Sequence, residues 1–274
     1  MTPTERDDAI LEHLRRFHLT TAEVLHRLFF PGSKLNAVRK VTARLIREKK
    51  IRAWQLFEQR KYFTLTPGQA ARMGEDRSIG TPFQTQGLVN AYGVLQFAIE
   101  TGTQPFTKKE FEEKFPELVI RGVIARNYYI DTEPADDGPP PASGSLPASG
   151  PKVRLGFVIV DYGTSPLTIR KKVHHVTARA YTLPRFARLI QNDGFVIAIV
   201  APFEPKAELI KAVLADEGPG FVRYRVVTSP ELGELLLHRG RRKTGLTSDA
   251  ESEQESEPNS EANSEAPSEE GATP

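Results

Sequence analysis

The stretch GFVIVDYGTSPLTIRKKV, residues 156–173, is a short apolar run that ends at Asp161, followed by a glycine turn and a helix-like segment with paired lysines. The chain after it continues the same alternation, because residues 174–191 keep a helical pattern and GFVIAIVAP, residues 194–202, is a second apolar run. Residues 204–218 predict another helix and residues 221–229 a third strand. Strands that alternate with helices predict βαβ crossovers and a parallel or mixed sheet that is buried on both faces.

The N-terminal part of the chain has a different pattern. Residues 10–17 have apolar positions at helical spacing, and Asp7 and Asp8 before them suit a helix start. Four segments follow, which predict two helices, a two-stranded hairpin and a short helix: TTAEVLHRLFFPG (20–32), SKLNAVRKVTARLIREKK (33–50), IRAWQLFEQRKYFTLTP (51–67) and TPGQAARMG (66–74). Threonine caps begin the second and fourth helices, and Pro67 suits a first helical position. Three helices, a hairpin and a helix predict a winged helix-turn-helix over residues 1–78.

Composition divides the rest of the chain. Residues 79–246 form the predicted α/β domain, in which the Pro/Gly/Ser-rich residues 131–152 predict a solvated loop. Residues 247–274 contain nine acids, no base and no large apolar residue, so we expect a disordered acidic tail. The predicted fold class is therefore mixed α/β: a winged helix, then a domain with a mixed sheet, then the tail.

The charge distribution favours a polyanionic partner. Removing the nine acids of the tail from the total of 35 leaves 37 basic residues against 26 acidic ones, so residues 1–246 carry a net charge of about +11. This balance predicts double-stranded DNA as the partner. The acidic tail is a candidate to bind the same basic surface within the molecule. A homodimer is a further possibility that the sequence does not decide.

Several classes of site and location are disfavoured by composition. The chain has no cysteine, which excludes disulfides, thiolate zinc sites and cysteine nucleophiles. No apolar run reaches the ~20 residues that span a bilayer, and we see no signal peptide. We expect a cytoplasmic protein, associated with a nucleoid or plasmid, with no membrane partner, no cofactor and no metal.

The third predicted helix separates apolar from basic residues. At 100° per residue its apolar residues fall on one side: Leu35, Val38, Val41, Leu45 and Ile46. The opposite side and its borders carry the predicted DNA contacts of this helix: Lys34, Asn36, Arg39, Lys40, Arg44, Arg47 and Lys50. Basic side chains bind phosphates, and forked donors reach base edges in the major groove. Arg60 and Lys61, at the hairpin tip, are predicted wing contacts. A solvated basic helix, or a winged helix that serves as a protein-interaction adaptor, is the alternative.

A family resemblance follows from three stretches in this order. LTTAEVLHRLFFPGSKLNAVRKVTARLIREKKIRAW (19–54), YFTLTPGQAARM (62–73) and VIVDYGTSPLTIRKK (158–172) resemble the replication-relaxation family. The resemblance covers residues 8–75 and 118–230, and LTTAEVLHRLFFPG and DYGT are its most specific parts. It implies an N-terminal winged helix, a C-terminal domain of the restriction-endonuclease-like fold, and an accessory or regulatory DNA-binding role in plasmid replication, mobilisation or transcription control.

The same resemblance raises a nuclease alternative. Nucleases of that fold hold Mg²⁺ and an attacking water with acids and a lysine on neighbouring strands. The candidates here are Asp131, Asp161 and either Lys171 or Lys172. Ile159, two residues before Asp161, stands where the family pattern has an acid, and it cannot bind a metal. The sequence therefore predicts an incomplete catalytic set and a protein that is not an enzyme.

Overall fold

The computed structural model describes residues 2–119, 125–133, 152–216 and 222–245. Contacts divide the chain into a compact unit, Met1–Arg239, and a second unit, Gly240–Pro274. The fold below is that of the first unit. The predicted acidic tail and residues 134–151 of the predicted loop lie outside the described residues. The loop prediction is wrong at its two ends, because residues 131–133 and 152 belong to strands. The predicted domain boundary between residues 78 and 79 stays a prediction.

The N-terminal elements follow the predicted order of three helices, a hairpin and a helix. Their bounds are α1 (Pro3–Phe17), β1 (Thr20–Thr21), α2 (Ala22–Phe29), α3 (Leu35–Arg47), β2 (Ile51–Phe57), β3 (Arg60–Leu65) and α4 (Pro67–Arg72). The strands form an antiparallel sheet in the order β1-β3-β2, of which β1 is too short to be evident from the sequence. The Thr21 hydroxyl accepts a hydrogen bond from the Val24 N–H, which is the predicted cap of α2.

Helix α1 begins earlier than the sequence indicates. It starts at Pro3, and Thr2 and Glu5 form a reciprocal capping box there. The prediction that Asp7 and Asp8 mark the helix start is therefore wrong. Asp7 lies inside the helix and is only 7% exposed, because it faces α3 and forms an ion pair with it.

The first hydrophobic core joins the N-terminal helices to their sheet. Val38, Val41 and Leu45 of α3 are buried in it, as predicted. The two outer positions of the predicted apolar stripe differ, since Leu35 is 36% exposed and Ile46 is 40% exposed. The buried stripe of α3 is thus narrower than the helical pattern suggests, because neighbouring elements cover only the central positions.

A mixed sheet organises the remainder of the first unit, as predicted. The bounds are α5 (Thr85–Thr101), α6 (Lys108–Lys114), β4 (Tyr128–Glu133), β5 (Lys152–Val160), α7 (Pro166–Tyr181), α8 (Pro184–Gln191), β6 (Phe195–Ala201), α9 (Glu204–Ala215), β7 (Arg223–Thr228) and α10 (Pro230–Gly245). The strand order is β4-β5-β6-β7, with β4 antiparallel to β5 and the other three strands parallel. None of the helices in the described ranges combines the length and apolar character that a bilayer crossing requires.

Helices cover both faces of this sheet. All seven residues of β6 are buried, and they alternate between two cores. Ile197 and Ile199 pack with residues of α7, α8 and α9. Ala198 and Val200 pack in a second core with residues of α5 and α10. A fully apolar strand is the expected pattern for a parallel strand that is buried on both sides.

Helix α5 joins the two sheets through one continuous core. Its apolar residues pack against Val158 and Val160 of β5 and also against Tyr62 of β3. The approach to β5 is close at Gly93, where an added Cβ would lie 2.5 Å from Val160 Cγ1. Glycine is therefore required here by the packing of the helix on the sheet.

We predict that Gly93→Ala destabilises the protein. The added methyl displaces the stiff Val160 side chain, and overpacking of this kind costs about 1–3 kcal/mol, more than the ~1 kcal/mol that alanine adds to helix propensity. Gly87→Ala on the same helix is the matched control, because its Cβ would meet only Phe83 at 3.5 Å. Urea denaturation should show a lower unfolding free energy for G93A and an equal or higher one for G87A. Equal effects of the two variants would contradict this packing.

Candidate nucleic-acid interface

The interface predicted on α3 has an exposed polar side opposite its buried one. Lys34, Asn36, Arg39, Lys40 and Arg47 are all exposed. Their positions follow from the helical period, because Val38, Val41 and Leu45 turn the other face into the core. Thus five of the seven predicted contacts on this helix lie on an accessible surface.

The other two predicted contacts on α3 are engaged by acids. The Arg44 guanidinium donates to both carboxylate oxygens of Asp7 on α1, at 2.7 Å to Oδ1. Lys50 Nζ lies 2.8 Å from Glu48 Oε2. The prediction that Arg44 belongs to a free basic stripe is therefore corrected: the side chain is one-third exposed and ties α3 to α1.

The tip of the β2–β3 hairpin lies against α10. Arg60 Nη1 is 2.8 Å from Glu234 Oε2, and its guanidinium stacks over the Phe57 ring at 5.0 Å. The Phe57 ring also stacks on His238 at 4.8 Å, and His238 Nδ1 lies 3.1 Å from Glu58 Oε1. Of the two predicted wing contacts, Lys61 is exposed and Arg60 is paired with an acid. Arg60 is therefore not the unengaged phosphate contact that the sequence suggests.

The two predicted nuclease acids, Asp131 and Asp161, lie far apart. Asp131 on β4 pairs with Arg154 near the start of β5, and its carboxylate lies 3.0 Å from Arg225 Nη1. Asp161 follows the other end of β5, seven residues further along the strand, which is roughly 23 Å away. Lys171 is exposed on α7, whereas Lys172 is half-buried. The two acids therefore cannot share a metal ion.

Asp161 is fully buried and shapes the turn after β5. Its Oδ1 accepts hydrogen bonds from the Thr164 N–H at 2.9 Å and the Thr164 hydroxyl at 3.1 Å. Gly163 in this turn has φ 79°, a left-handed conformation that favours glycine. In this Asp-x-Gly-Thr sequence, Asp161 is thus the hydrogen-bond acceptor and Gly163 adopts the left-handed conformation. Thr164 supplies the two donors, its N–H and its hydroxyl.

Two lysines lie near the Asp161 carboxylate. Within the described residues Oδ2 makes no hydrogen bond, and Lys206 Nζ lies 4.0 Å from it. The Lys206 ammonium also donates to the Thr164 carbonyl. Lys172 Nζ lies 4.0 Å above the Tyr162 ring, and burial lowers its pKa while Asp161 opposes that shift. We call Asp161, Lys172 and Lys206 the Asp161 cluster.

The Asp161 cluster is better suited to internal charge compensation than to holding a metal. A Mg²⁺ or Ca²⁺ site needs several converging oxygen ligands, whereas the charged neighbours of this carboxylate are ammonium groups that repel a cation. Across residues 2–119, 125–133, 152–216 and 222–245, no three His, Asp or Glu side chains are grouped as metal ligands. Lys206 is not among the candidate residues identified from the sequence. Its position shortly after β6 could have indicated it, because neighbouring parallel strands end at the same edge of the sheet.

We predict that Asp161→Asn destabilises the protein by about 3 kcal/mol, because it removes one partner of a buried charge cluster. The amide oxygen can still accept the Thr164 hydrogen bonds, so the substitution removes the negative charge and leaves the hydrogen bonds of the turn in place. Asp216→Asn, at an exposed position after α9, is the control. Chemical denaturation should show the loss only for D161N, and wild-type stability of D161N would mean that Asp161 serves only as a turn acceptor.

Comparison with known proteins found no matching family model, no matching curated protein and no matching solved structure. Membership of the replication-relaxation family therefore stays a prediction based on the three stretches quoted above.

Proposed function

We propose that this chain binds duplex DNA through α3, as an accessory or regulatory protein without nuclease activity. The observation that carries the proposal is the exposed set Asn36, Arg39, Lys40 and Arg47, on a helix whose opposite face is buried. The net charge of about +11 on residues 1–246 supports it, because such a body attracts a polyanion.

The positions along α3 suit the division of labour seen in recognition helices. Side chains near the N-terminus of such a helix contact base edges. Asn36 and Arg39 lie in the first half of α3, and their forked groups match the major-groove edges of adenine and guanine, respectively. Lys40 and Arg47 supply phosphate contacts that position the helix.

The order of the N-terminal elements supports a winged helix-turn-helix. Helices α1, α2 and α3 precede the antiparallel β2–β3 hairpin, which is the order that the motif requires. In this proposal the hairpin is the wing. Lys61 is its phosphate contact, and Arg60 keeps the wing on α10 through Glu234.

The wider role that we propose rests on the family resemblance. We propose that the mixed sheet β4–β7 is a restriction-endonuclease-like scaffold that has been retained without its catalytic set. The biological setting would be plasmid replication, mobilisation or transcription control, with double-stranded DNA as the partner. The separation of Asp131 from Asp161 supports a role without catalysis.

We predict that Lys40→Ala/Arg47→Ala lowers the affinity for duplex DNA at least tenfold at physiological salt. Each phosphate contact releases about one counterion when the protein binds. Because the variant loses two such contacts, the magnitude of the slope of log K against log salt should fall by about two. Fluorescence anisotropy with labelled duplexes over a range of salt concentrations measures both quantities.

The matched control for this variant is Lys109→Ala/Arg188→Ala. It removes one lysine and one arginine from exposed positions on α6 and α8, so it lowers the net charge equally without touching α3. Equal loss of affinity in both double variants would indicate a general charge effect. Full affinity in the α3 variant would place the contact elsewhere and leave the adaptor alternative.

A metal-dependent nuclease is the second candidate, favoured by the buried carboxylate and lysines of the Asp161 cluster at a strand end. We expect supercoiled plasmid incubated with the chain and Mg²⁺ or Mn²⁺ to stay intact. Cleavage by the wild-type chain would overturn the accessory role. Its loss in D161N, at a temperature where D161N is still folded and the Asp216→Asn control is active, would establish the nuclease.

A further inference from the structure

A cavity of about 290 Å³ lies between the end of α1, the first turns of α5 and Tyr162. Its walls are mostly apolar, with aromatic rings from Phe17, Phe83 and Tyr162. Its volume is at the small end of the roughly 300–1,000 Å³ of pockets that hold organic ligands. We call it the α1–α5 cavity.

The polar groups of the α1–α5 cavity are cationic or neutral. Arg16, Arg126 and the amides of Asn90 and Asn127 line it, and no described residue of its lining is an acid. Arg16 is engaged, because its guanidinium contacts Glu110 at 2.6–2.8 Å and the Pro105 carbonyl at 2.9 Å. Arg126 differs, since no described side chain or carbonyl forms a hydrogen bond or ion pair with it.

Arg126 is partly buried, and none of the acids among the described residues pairs with it. Burial lowers the pKa of Arg126 to about 10. Among the described residues Glu75 opposes this shift, and Glu75 is itself paired with Arg15 at 2.8 Å. Arg126 is therefore still cationic at pH 7. Burial, together with the nearby charge of Arg126, lowers the pKa of His18 to about 3. Arg126 thus lines the cavity with a positive charge that no described side chain pairs, and an anionic ligand in the cavity would pair it.

The start of α5 adds positive potential at the same place. The helix begins at Thr85 without a side-chain cap, and Gln86 and Gly87 of its first turn line the cavity. The N–H groups and the dipole of a helix start favour an anion. Asn90, one turn further on, exchanges hydrogen bonds of 3.2 and 3.3 Å with Asn127 and can also meet a polar group.

We propose that the α1–α5 cavity binds a small organic anion, with a carboxylate or phosphate oxyanion on Arg126 and an apolar or aromatic body against Phe17, Phe83 and Tyr162. A planar guanidinium matches a planar or tetrahedral oxyanion with two parallel hydrogen bonds. The apolar walls bind the body of the ligand, and the volume limits it to roughly one aromatic ring with its acidic group. This site is separate from α3 and independent of DNA binding.

The experiment uses the full chain and three probes that share one ring. Benzoate carries a carboxylate, phenyl phosphate carries a phosphate and benzamide is neutral. Each is titrated to roughly 10 mM by calorimetry, because a fragment of this size reaches a Kd of roughly 1 mM. We expect at least one anion to bind and to raise Tm, and benzamide to do neither. The tighter of the two anions identifies the oxyanion class.

Arg126→Gln separates a ligand-binding role from a structural one. We expect this variant to weaken anion binding at least tenfold and to have a Tm without ligand that equals or exceeds that of the wild type, because it removes an unpaired charge. Arg126→Lys should retain part of the affinity. Arg188→Gln, an exposed arginine on α8, should bind as the wild type does.

Three results would overturn the proposal. The first is that neither anion binds the wild-type chain. The second is that Arg126→Gln binds the anion as well as the wild type does. The third is that Arg126→Gln unfolds or loses Tm without ligand, which would assign Arg126 a structural role and a partner that the cavity geometry does not contain.

Discussion

The packing of α5 between the two sheets is the constraint on which the other features of the first unit depend. Its buried residues meet Val158 and Val160 of β5 on one side and Tyr62 of β3 on another, so one core holds the N-terminal helices against the mixed sheet. The close approach at Gly93 brings the helix near enough for these contacts. The same helix contributes its first turn to the α1–α5 cavity. A displaced α5 would therefore alter both the cavity and the packing of the N-terminal elements on the mixed sheet.

Charge pairing decides which basic residues of this chain are available to a partner. Arg44 and Arg60 both look like DNA contacts in the sequence, yet one holds α3 to α1 and the other holds the hairpin to α10. Arg39, Lys40 and Arg47 lack such a role among the described ion pairs and lie exposed. The proposed DNA interface is thus smaller than the count of basic residues suggests. In that proposal, specificity rests on the few side chains that α3 leaves exposed.

Much of the architecture could be predicted from local patterns. The seven apolar residues of β6 predict a buried strand, and Thr21 and Thr66 predict helix starts, because these signals act within a few residues. Helix α10 could not be predicted in the same way, since Gly233 weakens its helical pattern. Only the structure gives the reason for that glycine: an added Cβ would lie 2.3 Å from the Phe203 ring. The sequence does not predict the roles of Asp7, Lys206 and Arg126, because the neighbours of each are distant in sequence.

The contact between the hairpin tip and α10 also bears on how the chain is made. Arg60 and Glu234 are 174 positions apart, so the hairpin gains its last neighbour only when nearly all of the first unit has left the ribosome. Until then Phe57 lacks the His238 ring that stacks on it. Long-range closure of this kind slows folding, because the loop entropy must be overcome before the contact forms. During most of synthesis the hairpin tip therefore lacks its α10 neighbours, and Phe57 is the apolar side chain that waits for its last contact.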